Sequence, residues 1–94
     1  MNLLILNLNT MKNHTKVYMK YFGYDVCDFI PCEICGAGSV DIHHIQGRGE
    51  GKDVPENLVA LCRDCHADCH NEKISKEEIR ERHDMKMLAG GELF

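Results

Sequence analysis

Between residues 15 and 22 the apolar side chains Val17, Tyr18, Tyr21 and Phe22 fall at i, i+1, i+4 and i+5, one helical stripe, while Lys16 and Lys20 lie on another face. With Gly23 as a stop, the pattern predicts a short helix from Thr15 to Phe22 packed on the body. Val40–Ile45 and Leu58–Leu61 are short β-prone apolar segments. The loop between them carries Gly47, Gly49 and Gly51, with Pro55 near its end. The expected order is strand, loop, strand, then a helix through His66 and His70. A last helix has a full start signal: Ser75 as N-cap with Glu78 three residues on, and Ile74 able to staple onto Ile79. It should run from about 75 to 89 and fade near Gly90-Gly91. Residues 1–10, where Leu6 and Leu8 alternate with Asn7 and Asn9, read equally as a short strand or a tail. The prediction is a small α+β fold: one domain over residues 11–94, with its core at 27–72.

Length and composition narrow this further. Ninety-four residues, 44% hydrophobic and 28% charged, suit one small soluble domain and exclude a multidomain machine. The longest apolar run, Leu3 to Leu6, is far short of the roughly 20 residues needed to cross a bilayer, and no secretory cleavage pattern follows it. A cytoplasmic protein without membrane contact is expected. The net charge of -4 argues against a generally basic nucleic-acid coat, yet residues 1–24 carry Lys12, Lys16 and Lys20 and no acid. Any basic surface should therefore be N-terminal. Six cysteines and six histidines are the main anomaly, because a reducing compartment leaves thiolates and imidazoles free to bind metal.

Those residues form two constellations. Cys32-Glu-Ile-Cys35 and Cys62-Arg-Asp-Cys65 are paired Cys-x-x-Cys knuckles with twenty-six residues between Cys35 and Cys62. Two-residue spacing turns both sulfurs of a knuckle toward one centre, and four thiolates suit tetrahedral Zn²⁺ in a closed, structural site. Cys62-Arg-Asp-Cys65-His66 also fits a c-type haem attachment signature, but that reading needs export and leaves Cys32 and Cys35 unexplained. The second constellation is Asp41-Ile-His43-His44-Ile45, Asn57-Leu58, and then His66 and His70, which at i, i+4 project from one helix face. On a regular strand His43 and His44 point to opposite faces, so the strand is expected to end, twist or bulge there if both serve one site.

Taken in order, these elements resemble the HNH family of ββα-metal endonucleases in its zinc-stapled form, over roughly residues 27 to 72. The resemblance implies a ββα-metal motif with a structural zinc knuckle pair, flanked by N- and C-terminal helices. It also implies cleavage of DNA phosphodiester bonds with a single divalent ion, Mg²⁺, Mn²⁺, Ni²⁺ or Zn²⁺. By the same resemblance His43 corresponds to the first metal ligand, His44 to the general base, Asn57 to the motif's asparagine and His66 to the helix ligand. His70 corresponds to the additional histidine of nuclease colicins. Many family members have Asp where His43 stands and Asn where His66 stands, so this is a histidine-rich ligand set. Small proteins of this kind often occur in phages, which suggests phage packaging proteins as partners.

The chemistry of the residues agrees with these roles. Three neutral imidazoles hold an ion while keeping positions open, and an imidazole with an ordinary pKa of about 6.5 can take a proton from water near neutral pH. Asn57 has no proton to give and is expected to position the long loop behind His44. Asp41, two residues before His43, is expected either to orient that imidazole or to act as a ligand in place of His70. Arg48 and Lys52 are candidates for phosphate contact, though a solvated charged loop explains them as well. His14 and His83 are read as ordinary surface or core histidines, and Cys27 and Cys69 as buried thiols. The competing function is a non-catalytic zinc-stapled nucleic-acid-binding or protein-interaction module, which has no use for four clustered histidines.

Overall fold

Burial along the first strand alternates with period two. In the computed structural model, which describes residues 12–92, strand β1 (Asp41–His44) has Ile42 and His44 buried and Asp41 and His43 half-buried. It pairs antiparallel with β2 (Leu58–Leu61) in the register Asp41 to Leu61, Ile42 to Ala60, His43 to Val59 and His44 to Leu58. Directly opposed residues share a face, so one face of the sheet carries Ile42, His44, Leu58 and Ala60 and the other Asp41, His43, Val59 and Leu61. All four β2 residues are buried, as expected of a strand covered on both sides.

Different elements cover the two faces. Helix α1 (Asn13–Phe22) lays Tyr18 against Ile42, Leu58 and Ala60, with Phe22 and Tyr24 completing that cluster. On the other side Val59 and Leu61 pack with Cys32, Cys62, Cys65 and Ile79, the last from helix α3 (Lys76–Glu92). Helix α2 (Arg63–His70) follows β2 directly, with Cys62 as its N-cap. The small α+β prediction with flanking helices thus holds. The strand-or-tail reading of residues 1–10 lies outside the described residues.

Helix boundaries follow local chemistry. Gly23 stops α1 in the left-handed conformation (φ 76°), and the amide of Tyr24 reaches back to Met19 O at 2.8 Å. The helix starts at Asn13, two residues before the predicted Thr15, with His14 and Thr15 buried on its inner side. The Ser75 hydroxyl accepts the Glu78 amide at 3.1 Å, and Ile74 packs in the cluster that holds Ile79. Helix α3 passes Gly90 and Gly91 and ends at Glu92. Glycine lowers helix propensity by about 1 kcal/mol without by itself ending a helix.

A buried polar hub joins the layers. Glu33 accepts hydrogen bonds from the Tyr18 hydroxyl (2.5 Å) and the Ala60 amide (3.1 Å), and its other oxygen lies 2.8 Å from His83 Nδ1. The opposite ring nitrogen of His83 lies 2.7 Å from the Pro55 carbonyl. The carbonyl can only accept, so Nε2 donates to it, and one proton bridges Nδ1 and the Glu33 carboxyl. Removing one member would leave the other buried without this partner, at a cost of about 1–3 kcal/mol. His83 is therefore a core histidine that docks α3 onto the body.

Candidate metal centres and catalytic cleft

The first knuckle is a tight turn. Cys32 donates to Ala37 O and accepts from Gly36 N, and Gly36 takes the left-handed conformation (φ 84°) that closes the loop. In the second, the Cys65 amide at the start of α2 donates to the Cys62 sulfur at 3.4 Å. The sequence separation between knuckles closes through β1 and β2, bringing the sulfurs of Cys32, Cys35, Cys62 and Cys65 within 4.8 Å of one another. Cys35 Sγ and Cys62 Sγ are 3.6 Å apart. That is too long for a disulfide and close to the roughly 3.8 Å edge of a tetrahedron built on Zn–S bonds of about 2.3 Å. Burial works against ionising Cys32, yet the amide N–H groups of Cys35, Cys62 and Ile34 outweigh it and lower the thiol to about 7. Burial and then the neighbouring sulfurs push Cys65 up. A divalent cation at the centre would relieve that conflict, so the donor set fits a closed structural site.

Helix α2 carries both clusters. Cys62 and Cys65 turn toward the first knuckle, while His66 and His70, one turn apart, meet His43 from β1. Their ring centroids lie 5.0 Å (His43 to His66), 5.8 Å (His43 to His70) and 4.7 Å (His66 to His70) apart. One nitrogen from each falls within 4.8 Å of the others, and His70 is exposed, so this cluster opens to solvent where the cysteine cluster is mostly covered. Burial, then His66 and His70, depress His43 to about 4, which keeps it neutral and able to ligate. Asp41 shares the face of His43, but its carboxylate reaches His66 Nδ1, at 3.3 Å, rather than His43. The expected orienting contact thus falls on His66 rather than His43.

His44 lies on the opposite face, and β1 neither ends nor bulges before it. Of the expected ways to accommodate the histidine pair, the strand takes the first: β1 ends at His44 and turns at Ile45, without a bulge, and its regular alternation sends His43 to the α2 side and His44 to the α1 side. There His44 Nε2 lies 2.7 Å from Asp53 Oδ1, and its ring packs 4.5 Å from the His14 ring. Hydrogen bonds from Asn13 and then from His44 hold the Asp53 carboxyl below the usual carboxylate range, while burial and then His44 lower His14. A cleft of about 620 Å³ borders both His43 and His44, along with His70 and Gly47.

Asn57, at the end of a 3-10 turn, binds the loop at three points. Its Oδ1 accepts the Gln46 amide at 2.7 Å, and Nδ2 donates to Gly47 O (3.2 Å) and Lys52 O (3.0 Å). Arg48 and Lys52 are exposed on that loop, and Lys12, Lys16 and Lys20 are exposed along α1. Cys69 is half-buried against the cysteine cluster's core, whereas Cys27 is exposed. The buried-thiol reading fails for Cys27 because it lies at the tip of a turn held by Asp25 and Asp28. Sequence spacing singled out neither His14 nor Asp53 as neighbours of His44.

A two-stranded sheet, a helix behind it, a cysteine staple and an open histidine cluster define a ββα-metal unit. Residues 32–75, just under half of the chain, match the family model described as HNH endonuclease. A 51-residue stretch, 47% of the chain, is 43% identical to a mitochondrial DNA mismatch repair protein mutS homolog of the soft coral Sarcophyton glaucum. The match spans 5% of that relative's length. No solved structure matches the chain significantly.

Proposed function

We propose that the protein is a metal-dependent endonuclease that hydrolyses DNA phosphodiester bonds, with His43, His66 and His70 holding one divalent ion and His44 acting as general base. The observation that carries this reading is the placement of an open three-imidazole cluster and a separately held imidazole on the two sides of one strand, with His43, His70 and His44 bordering one cleft. The ion, when bound, supplies positive charge to offset the charge that builds on the phosphate. Asp41 at His66 Nδ1 leaves the other ring nitrogen of His66 for the ion and fixes the ring's orientation. His44 takes a proton from the attacking water, whose oxygen bonds to phosphorus as the opposite P–O bond breaks. Asn57 keeps the loop folded behind His44 and needs no proton of its own. Zinc on the four cysteines serves the fold alone, since a site with four thiolates keeps no open position.

DNA as substrate is supported by the match to a DNA mismatch repair relative and by the lysines along α1, the helix that covers the His44 face. A plasmid cleavage assay with Mg²⁺, Mn²⁺, Zn²⁺ and Ni²⁺ in turn, with His44→Ala as control, tests the proposal. Metal-dependent cutting that disappears in the variant is expected. DNA binding without cutting under every metal would instead leave a zinc-stapled binding module.

A further inference from the structure

We infer that helix α3 docks on helix α1 of a second copy of this chain, and that two such contacts close about a two-fold axis into a reciprocal dimer. The inference does not depend on the nuclease reading, because it is read from the mass of the particle.

The outer face of α3 is a stripe. Glu77, Glu81, Asp84, Met85 and Leu88 fall at i, i+4, i+7, i+8 and i+11, within an arc of about 100°. Ile79 and His83, on the opposite side, are buried. The helix's own basic side chains reach the body instead: Arg80 donates to Glu56 O at 2.6 Å, Arg82 to Ile34 O at 3.2 Å and Lys86 to the Tyr24 hydroxyl at 2.9 Å. The stripe is therefore acidic along its first two turns and apolar beyond them. Met85 and Leu88 are 64% and 66% exposed, and a groove of about 420 Å³ runs along them, Asp84 and the two glutamates. Single exposed apolar side chains are common, but two on adjoining turns beside a groove make a patch.

Helix α1 presents the complement. Lys12 at its N-cap, Lys16 and Lys20 repeat every four residues on the exposed side, and Tyr21, 52% exposed, follows them. Among the described residues none of these lysines, nor Glu77 or Glu81, has an ion-pair partner. Laid parallel, the two stripes match in register: Lys12 meets Glu77, Lys16 meets Glu81, Lys20 meets Asp84, and Tyr21 reaches Met85 and Leu88. The opposite direction would set Met85 and Leu88 against Lys12 and Tyr21 against Glu77. Within one chain the two helices meet through other faces, with Lys86 Nζ 4.9 Å from the Phe22 ring and Phe22 edge-on to His83. The stripes thus lie on neighbouring helices and are left for another copy, so one two-fold axis can pair each α1 with the other copy's α3. The charges set direction and partner choice, and Tyr21 against Met85 supplies the apolar centre. The lysines so covered are those offered to DNA, which makes the dimer and DNA alternatives on this face.

Sedimentation equilibrium of the zinc-loaded full chain, at concentrations up to about 1 mM, tests this. In about 0.05 M salt the mass should approach twice the 10.7 kDa of the chain, and in about 0.5 M salt it should fall toward one chain. Glu77→Lys with Glu81→Lys should be monomeric at low salt, and so should Lys16→Glu with Lys20→Glu, because each change sets like charges against each other. An equal mixture of the two double variants should recover the dimer mass, since both contacts then join opposite charges. A wild type that is monomeric at every concentration overturns the inference. So does a dimer that salt leaves unchanged, a dimer that both double variants keep, or a mixture that stays monomeric. If a variant fails to fold, dilution of the wild type decides: amide resonances along the outer faces of α1 and α3 should shift, and shifts confined to other surfaces overturn the inference.

Discussion

The cysteine cluster and the histidine cluster share helix α2 and differ in almost everything else. The cysteines come from two local turns, are mostly covered, and pack directly into the core beside Val59, Leu61 and Ile79. The histidines come from the half-buried face of β1 and from α2, and two of them, His43 and His70, line a cleft. A site built into the core stabilises the fold, whereas one built at its margin keeps room for a substrate. One helix serves both because residues 65 and 66 lie about 100° apart around its axis.

Removing a sulfur should break this comparison with the largest effect. Cys32→Ser should bind no zinc and lose its cooperative unfolding transition, because ion binding at such a site is folding free energy. Metal analysis and circular dichroism check this, and a folded, zinc-free variant would contradict it. Outside the metal sites, His83→Ala should destabilise the zinc-loaded protein by about 1–3 kcal/mol in urea unfolding, since the buried Glu33 carboxyl and the Pro55 carbonyl would lose their shared partner. Cleavage by the fraction still folded should be unchanged.

Histidine-cluster changes should spare the fold. His43→Ala or His66→Ala is expected to keep zinc and structure but to weaken the second metal, with activity partly restored at high metal concentration. Cleavage measured across a metal titration decides this, and full activity at low metal would remove these residues from the ligand set.

Both clusters were legible in outline because their spacing is local or helical: Cys-x-x-Cys twice, and His66 with His70. Strand alternation also announced that His43 and His44 face opposite ways. What the sequence left open was which accommodation the strand would make at the pair, and it ends at His44 without a bulge. The partner groups were hidden too: Asp53 and His14 reach His44 from the loop and from α1, and Glu33 meets His83 across fifty positions. Such contacts depend on how elements pack and leave no periodic trace. Cys27 was misjudged for the complementary reason, since composition reports that a residue prefers burial but not that a turn holds it outside.

Smaller effects sharpen the same contrast. Replacing Lys12, Lys16 and Lys20 together should weaken DNA binding and reduce the magnitude of its log–log salt slope by up to about 3, without changing the rate at saturating DNA. An unchanged slope in binding titrations would place the docking surface elsewhere, with Arg48 the next residue to test. A pH effect should be smaller still. With no ion at the histidine cluster, burial and then His66 and His70 lower His43 to about 4 in the fold against 6.5 in an ordinary setting. Between those values the unfolded chain binds a proton that the native protein does not, so stability should fall as pH drops through that window. Urea unfolding at pH 6.5 and pH 5 should show a shallower loss in His43→Gln, and identical losses would exclude His43 as a source.

The central claim is that adjacent histidines on opposite faces of β1 divide the work, His43 holding an ion and His44 moving a proton. Calorimetric titration of Mn²⁺ into zinc-loaded His44→Ala, paired with plasmid cleavage by the same sample, tests it most directly. The account predicts wild-type Mn²⁺ affinity with cleavage reduced by about 10²-fold or more. Lost Mn²⁺ binding, or cleavage at the wild-type rate, would contradict it.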